Sequence, residues 1–337
     1  KLVVLKVPRI DLACDPGYRT MFLDEARVAA RLNHPNVVQT YEVLEDDGRT
    51  VLVMEYLEGQ TLSEILRRAR RAGRPLSLAM HLRIIADALG GLHHAHELEG
   101  FDGRPLDLVH RDVSPQNVFV TFDGHVKLLD FGVATAATSE HEAPAGTFRG
   151  KIRYMPPEQL TGAKVDRRGD VFAAGAMLYE AATGHRLWTG AGDATVVTRL
   201  VLEQVPRVRD ASGRVDPRLE AIVERALSVD PERRHPTAME LQAELESFLE
   251  TLPVRPRAMD LGAVVGELFA DLRRSRRAVI QEQLGGAGGR RAPSGSERTL
   301  PGRRPARQAP RRRIGLAAAV ALLFFLLPLV LFAALTR

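Results

Sequence analysis

His110–Asn117 reads HRDVSPQN, and thirteen residues past Asn117 the chain reads Asp130-Phe131-Gly132. Asp112 is an acid that can orient a hydroxyl. Asn117 follows it by five residues, and a second acid stands at Asp130. Together these supply one group for a hydroxyl nucleophile and two oxygen ligands for Mg²⁺, which is the layout phosphoryl transfer needs. HRD alone is a weak signal. HRD, an Asn at that offset, and DFG behind two short strand-like runs are strong together.

With these motifs in this order, the chain resembles the eukaryotic-like serine/threonine protein kinases of bacteria, from Lys1 to about Leu252. The resemblance implies an α+β, two-lobed protein kinase fold, with a small β-rich N-lobe and a large α-helical C-lobe. It implies ATP and Mg²⁺, with Ser or Thr hydroxyls of proteins as acceptors. Asp112 would orient the acceptor hydroxyl and accept its proton, and Asn117 and Asp130 would hold the metal. Lys6, inside the β-branched run LVVLKV (residues 2–7), aligns with the lysine that touches the α- and β-phosphates. Glu25 matches the helix acid that pairs with it. Met54-Glu55-Tyr56-Leu57 resembles the gatekeeper and hinge, where Glu55 and Leu57 would offer a main-chain carbonyl and amide to the adenine. Glu158 closes the activation segment in YMPPEQ and should pair with Arg234. Asp170 matches the acid at a buried helix start that holds the catalytic-loop backbone. In the segment 130–158, Thr147 is the best phosphosite candidate, with Thr138 and Ser139 behind it. Arg111 is the cation such a phosphate would meet.

Composition agrees with one large or two modest domains. The chain is 45% hydrophobic, enough for a full core, and its single cysteine, Cys14, excludes a disulfide framework. The net charge of +5 tempts a nucleic-acid reading, but it is local. Residues 285–313 carry +8 and Arg337 adds +1, which leaves −4 on residues 1–284. The basic character therefore belongs to a linker, and no aromatic-interleaved basic patch points to nucleic acid.

Periodicity places helices over 61–71, 77–96, 193–204, 217–228 and 237–250. In the second of these, Leu82, Ile85, Leu89 and Leu92 step by three and four, as a buried helix requires. It ends in His93, His94 and His96. Neighbouring helix positions point apart, and no acid or Cys cluster stands at ligand spacing, so these read as packing residues rather than metal ligands. Asp47-Gly48 and Asp123-Gly124 mark hairpin turns. Trp188 should pack beneath the helix that Asp170 starts.

Three departures from the family stand out. Ser114 occupies the place where these kinases carry a Lys two residues after the catalytic Asp. Lys151 stands where the docking loop carries a Thr. A Lys and a hydroxyl have in effect exchanged places, so Lys151 either restores the missing cation or faces solvent or substrate. The Gly-rich loop is also absent, since only five residues precede Lys6. Either strands lie upstream of Lys1, which the intact Lys6, Glu25, Asp112, Asn117 and Asp130 favour, or the chain is a catalytically silent scaffold.

The tail divides into three parts. Residues 253–284 carry a helical stripe at Leu261, Val264, Leu268 and Leu272 that would pack on the kinase or pair with a second copy in a homodimer. Residues 285–313 form an Arg/Gly/Pro-rich linker. Residues 314–335 hold 22 residues without a charge, enough for a ~33 Å helix across ~30 Å of hydrocarbon. Arg311–Arg313 at its start predict a single-pass membrane protein, in contact with lipid and with the kinase domain in the cytoplasm.

Overall fold

The computed structural model describes residues 2–7, 16–46, 49–131, 151–212, 215–287, 321–322 and 330–334. The elements begin with β1 (Leu2–Lys6), α1 (Pro16–Ala29), β2 (Thr40–Asp46), β3 (Arg49–Glu55), β4 (Gly59–Thr61), α2 (Leu62–Arg71), α3 (Leu78–His96), β5 (Val118–Thr121) and β6 (Val126–Leu128). After a short 3-10 turn at Lys151–Tyr154 come α4 (Pro157–Leu160), α5 (Arg167–Thr183), α6 (Asp193–Val201), α7 (Val208–Ser212), α8 (Pro217–Ala226) and α9 (Ala238–Glu250). The last elements are α10 (Ala258–Leu268), α11 (Ala270–Ala287), β7 (Ala321–Leu322) and β8 (Val330–Ala334).

Two lobes result. In the small lobe β1, β2 and β3 pair antiparallel, with Lys6 opposite Leu52 and Asp46 opposite Arg49. Phe22 and Ala26 of α1 pack there against Val38, Leu52 and Met54. The large lobe is built on α3 and α5. Ser77 caps α3, its hydroxyl accepting from Met80 N, and Leu82, Ile85, Leu89 and Leu92 are each no more than 1% exposed. Burial of such a side chain contributes about 1.5–3 kcal/mol. Trp188 lies in the same core as Phe172 and Leu178 of α5. A second small sheet, β4-β5-β6, crosses from the lobe connection to the catalytic loop. Its strands alternate as a half-buried hairpin should: Val118, Val120, Val126 and Leu128 face in, with Phe119 and Lys127 between them.

The tail differs from expectation in one way. The helical stripe is carried by two helices, α10 and α11, and α10 packs on α2, β4 and β5. Within the expected membrane-spanning helix of 314–335, the described residues are strands. β8 runs antiparallel to β1, with Val330 opposite Lys6, and β7 pairs β8. No helix among the described residues is long and apolar enough to cross a membrane. The physical reason lies in β1. With β3 on one side only, its other edge presents unpaired N–H and C=O groups, and the apolar run VLFAA satisfies them.

His81 faces the core from α3 and is 5% exposed. Burial holds it neutral, and the charge of Arg70 acts the same way, so its pKa is pushed down to about 4. His34, His93 and His235 shift in the same direction, each chiefly by burial. Between pH 6.5 and about 4 the unfolded chain takes up a proton at His81 that the folded chain refuses. Stability therefore falls as pH falls through that window, by on the order of 3 kcal/mol from this residue. In urea titrations, His81→Leu should flatten the loss of midpoint between pH 6.5 and 4. An unchanged slope would assign the acid sensitivity elsewhere.

Candidate active site

The catalytic loop hangs from one carboxylate. Asp170 sits in the first turn of α5 and is 1% exposed. Its Oδ2 accepts from His110 N at 2.7 Å and its Oδ1 from Arg111 N at 2.8 Å. His96 Nε2 lies 2.8 Å from the same Oδ2. Desolvation of this carboxylate is offset by three donors and by the positive end of the helix. The clamp holds Arg111 at φ 61°, a left-handed conformation that a residue with a Cβ adopts only under constraint. His110 is fully buried. Its Nε2 lies 3.0 Å from Leu129 O, its Nδ1 accepts from Asp112 N at 3.3 Å, and its ring meets Phe131 at 4.6 Å between centroids. This one imidazole thereby ties Asp112 to the strand end that leads into the DFG triplet.

The oxygen ligands are oriented by the loop itself. Asn117 donates both amide hydrogens to Asp112, at 2.8 Å to its carbonyl and 2.9 Å to Oδ2. That commits Nδ2 and leaves Oδ1 as the amide atom open to a cation. Asn117 O accepts from Leu129 N at 2.8 Å, which brings Asp130 beside it. Asp130 takes φ 39°, is half exposed, and pairs with Lys6 Nζ at 2.9 Å. An amide oxygen and a carboxylate at one cleft are hard donors of the kind Mg²⁺ prefers, so the donor set fits that ion. The cleft behind them is lined by Lys6, Val38, Leu52, Met54, Asp130 and Phe131.

At the lobe connection the side chain of Glu55 is engaged with the protein. Its Oε1 accepts from Lys127 Nζ and from Gln39 N, both at 2.7 Å, and Lys127 also reaches Val37 O at 3.2 Å. Leu57 packs partly buried against the small-lobe cluster. On the far side of the cleft Glu158 and Arg234 form a two-pronged pair at 2.6 and 2.8 Å. The remaining guanidinium donors go to the carbonyls of Ser228, Val229 and Arg168, so all five are satisfied. Tyr154 donates to Glu180 Oε2 at 3.2 Å, and its pKa is raised by burial and by that carboxylate.

A model of the protein kinase domain matches residues 2–245. The chain belongs to the protein kinase family. The tyrosine-protein kinase MasK of Myxococcus xanthus is 40% identical over 306 residues, covering 90% of this chain and 47% of that protein. The serine/threonine-protein kinase PrkC of Bacillus subtilis is 31% identical over 248 residues, covering 74% of this chain and 36% of its own. Thus the chain spans less than half the length of these curated relatives. The crystal structure of the Mycobacterium tuberculosis PknI kinase domain superimposes with a TM-score of 0.54 at 27% identity, over 72% of this chain and 84% of that one.

Seen as a kinase domain, the structure brings together Lys6, Asp112, Asn117 and Asp130, with Asp170 and Arg111 beneath them and the Glu158–Arg234 pair to one side. The backbone of Glu25 lies in α1, and that of Lys151 opens the turn before α4, but both side chains fall outside the described residues. Thr147, Thr138 and Ser139 lie outside them altogether. Sequence reasoning missed the part of His96, which was read as packing but caps the clamp, and the Lys127–Glu55 strut. A charged residue between two buried ones on β6 was the signal for the strut. Neither His93 nor His94 joins His96. His94 stacks on His34 at 5.0 Å, while His93 lies 3.9 Å from Glu97.

Replacing Asp170 by Ala should strand two buried backbone N–H groups and release Arg111 from its left-handed conformation. We expect a loss of about 3–5 kcal/mol in urea-induced unfolding. A loss below about 1 kcal/mol would mean that the loop holds its shape without the clamp.

Proposed function

We propose that this chain is an ATP-dependent protein kinase that phosphorylates serine or threonine hydroxyls. The carrying observation is Asp112, Asn117 and Asp130 at one cleft with Lys6 paired to Asp130. Asp112 orients the acceptor hydroxyl and takes its proton. A bond forms from that oxygen to the γ-phosphorus as the bond to the bridging β-oxygen breaks. Lys6 fixes the phosphates, and Glu55 and Leu57 offer main-chain groups to the base. Asn117 and Asp130 would hold Mg²⁺, which when bound neutralises charge on the phosphate oxygens. Ser114, 2% exposed, has a buried hydroxyl with no hydrogen-bond partner among the described residues. That supports reading it as the hydroxyl that turns to Asp112, with Lys151 returning the cation the catalytic loop lacks.

A second reading, transfer to tyrosine, is favoured by the name of the Myxococcus relative. Acid hydrolysis of the autophosphorylated full chain and separation of its phosphoamino acids decides between them.

Saturating Mg²⁺-ATP, at about 100 times Kd, should stabilise the full chain by ~2.7 kcal/mol in thermal unfolding. Asp130→Asn should lose the Mg²⁺-dependent part, and Asp112→Asn should keep it while phosphotransfer falls roughly 10²–10⁴-fold. Lys151→Ala with undiminished transfer would remove the exchange reading. No stabilisation of a folded sample would favour a catalytically inactive scaffold.

The membrane reading rests on the uncharged run 314–335 and on Arg311–Arg313 before it. Pairing of 330–334 with β1 and insertion of the same residues in a bilayer exclude each other. A single-pass anchor predicts that the full chain stays in the membrane pellet through alkaline carbonate washing. Recovery in the wash supernatant would reject it.

A further inference from the structure

The helices α10 and α11 are built onto the connection between the lobes. Leu261, Val265 and Phe269 are buried to 1–3% exposure. Two glycines let backbones touch at this dock. A Cβ on Gly124, at φ 83°, would lie 1.6 Å from Ala258 O, and one on Gly262 would lie 2.7 Å from Phe122 O. Around this contact Arg68 pairs with Asp271 at 2.6 Å and Arg74 with Glu267 at 3.0 Å. Arg68 also lies over the Phe269 ring at 4.7 Å.

Phe122 is the joint. Its N–H donates to Glu58 O at 2.8 Å, its carbonyl meets Gly262, and its ring carries Arg273 at 4.9 Å. Residues 56–58 are the whole connection between β3 and β4. Just past them the chain lies flush on β5, since a Cβ on Gly59 at the start of β4 would stand 2.2 Å from Val120 O. Outward they face α11 across a narrow gap lined by Tyr56, Glu58, Phe122, Arg273, Arg276 and Arg277. Arg277 approaches Glu58 to 3.6 Å, and the charge of Arg276 acts on Tyr56. Leu57, one of the two residues whose main chain is assigned above to the adenine, lies in this connection, and Glu55, the other, immediately precedes it.

We infer that α10–α11 holds the lobe connection in its nucleotide-binding shape, with Arg273, Arg276 and Arg277 as positioning residues that act through Tyr56, Glu58 and Phe122. The inference rests on the nucleotide-cleft reading. Displacement of α11 from the connection, for instance by force or binding on the Arg-rich stretch that follows it, then becomes a change in nucleotide affinity rather than in the chemical step.

Autophosphorylation of the full chain at graded concentrations of radiolabelled ATP separates KM from kcat. In Arg276→Glu/Arg277→Glu the anchors of α10 are untouched. KM for ATP should rise about three- to tenfold with kcat within about twofold. Gly262→Leu pushes α10 off its seat; KM should rise further while limited proteolysis opens sites between 253 and 287. An unchanged KM in both variants, with α10 shown to be released by proteolysis in the second, overturns the inference. So does a fall in kcat at constant KM. If the unaltered chain binds no ATP by calorimetry, the cleft reading fails and this inference goes with it; if it binds and the variants bind equally, the inference alone fails.

Discussion

A single desolvated carboxylate sets the shape of the catalytic loop, and most of the site depends on it. Asp170 accepts two backbone hydrogens from His110 and Arg111 and faces His96. From there the order propagates by short steps. His110 reaches Leu129, Leu129 donates to Asn117, and Asn117 turns to Asp112. Backbone preference does not set this geometry; two residues with a Cβ, Arg111 and Asp130, are held at positive φ. Strain of that kind persists only where surroundings over-determine it, and here the surroundings are the start of one helix. The same helix start also supplies the Arg168 carbonyl to Arg234. Two loops distant in sequence are thus registered against each other through α5.

The two lobes have separate cores. The large-lobe core is one continuous cluster on α3 and α5, whereas the small-lobe cluster gathers Phe22, Ala26, Val38, Leu52 and Met54 around α1 and its sheet. Between them run the short connection 56–58 and the Lys127–Glu55 strut, with both strut side chains largely buried. A buried ion pair of this sort contributes little net stability but a definite geometry, because removing either partner leaves an uncompensated charge. The start of the lobe connection, the Gln39 amide and the β6 strand that precedes Asp130 are therefore fixed to one point.

Much of this was legible in the sequence because the chemistry is carried by local motifs. HRD with its Asn, DFG, the Glu158–Arg234 pair and Asp170 could each be placed from spacing and resemblance, and the helix caps at Ser77 and Thr237 stand where the periodic runs begin. What escaped was the product of distant contacts. His96 looks like any helix-end histidine until Asp170, 74 residues on, folds against it. Lys127 and Glu55 are 72 residues apart and share no motif. The tail reads two ways for a related reason: hydropathy reports that 330–334 avoids water, and a strand edge offers the same shelter as a bilayer. The docked stripe at 258–287 was visible as apolar spacing, but Gly124 and Gly262, which decide where it docks, carry no periodic signal.

The Glu158–Arg234 pair has a consequence for how such a chain can change. Phe131 is buried against His110 at one end of the activation segment, and Ile152 and the Glu158 carboxylate are fixed to the large lobe at the other. Arg234 spends all five of its donors inside the protein, so loss of either partner would leave the other's charge buried without compensation. Substitution at either position therefore calls for a matching substitution at the other.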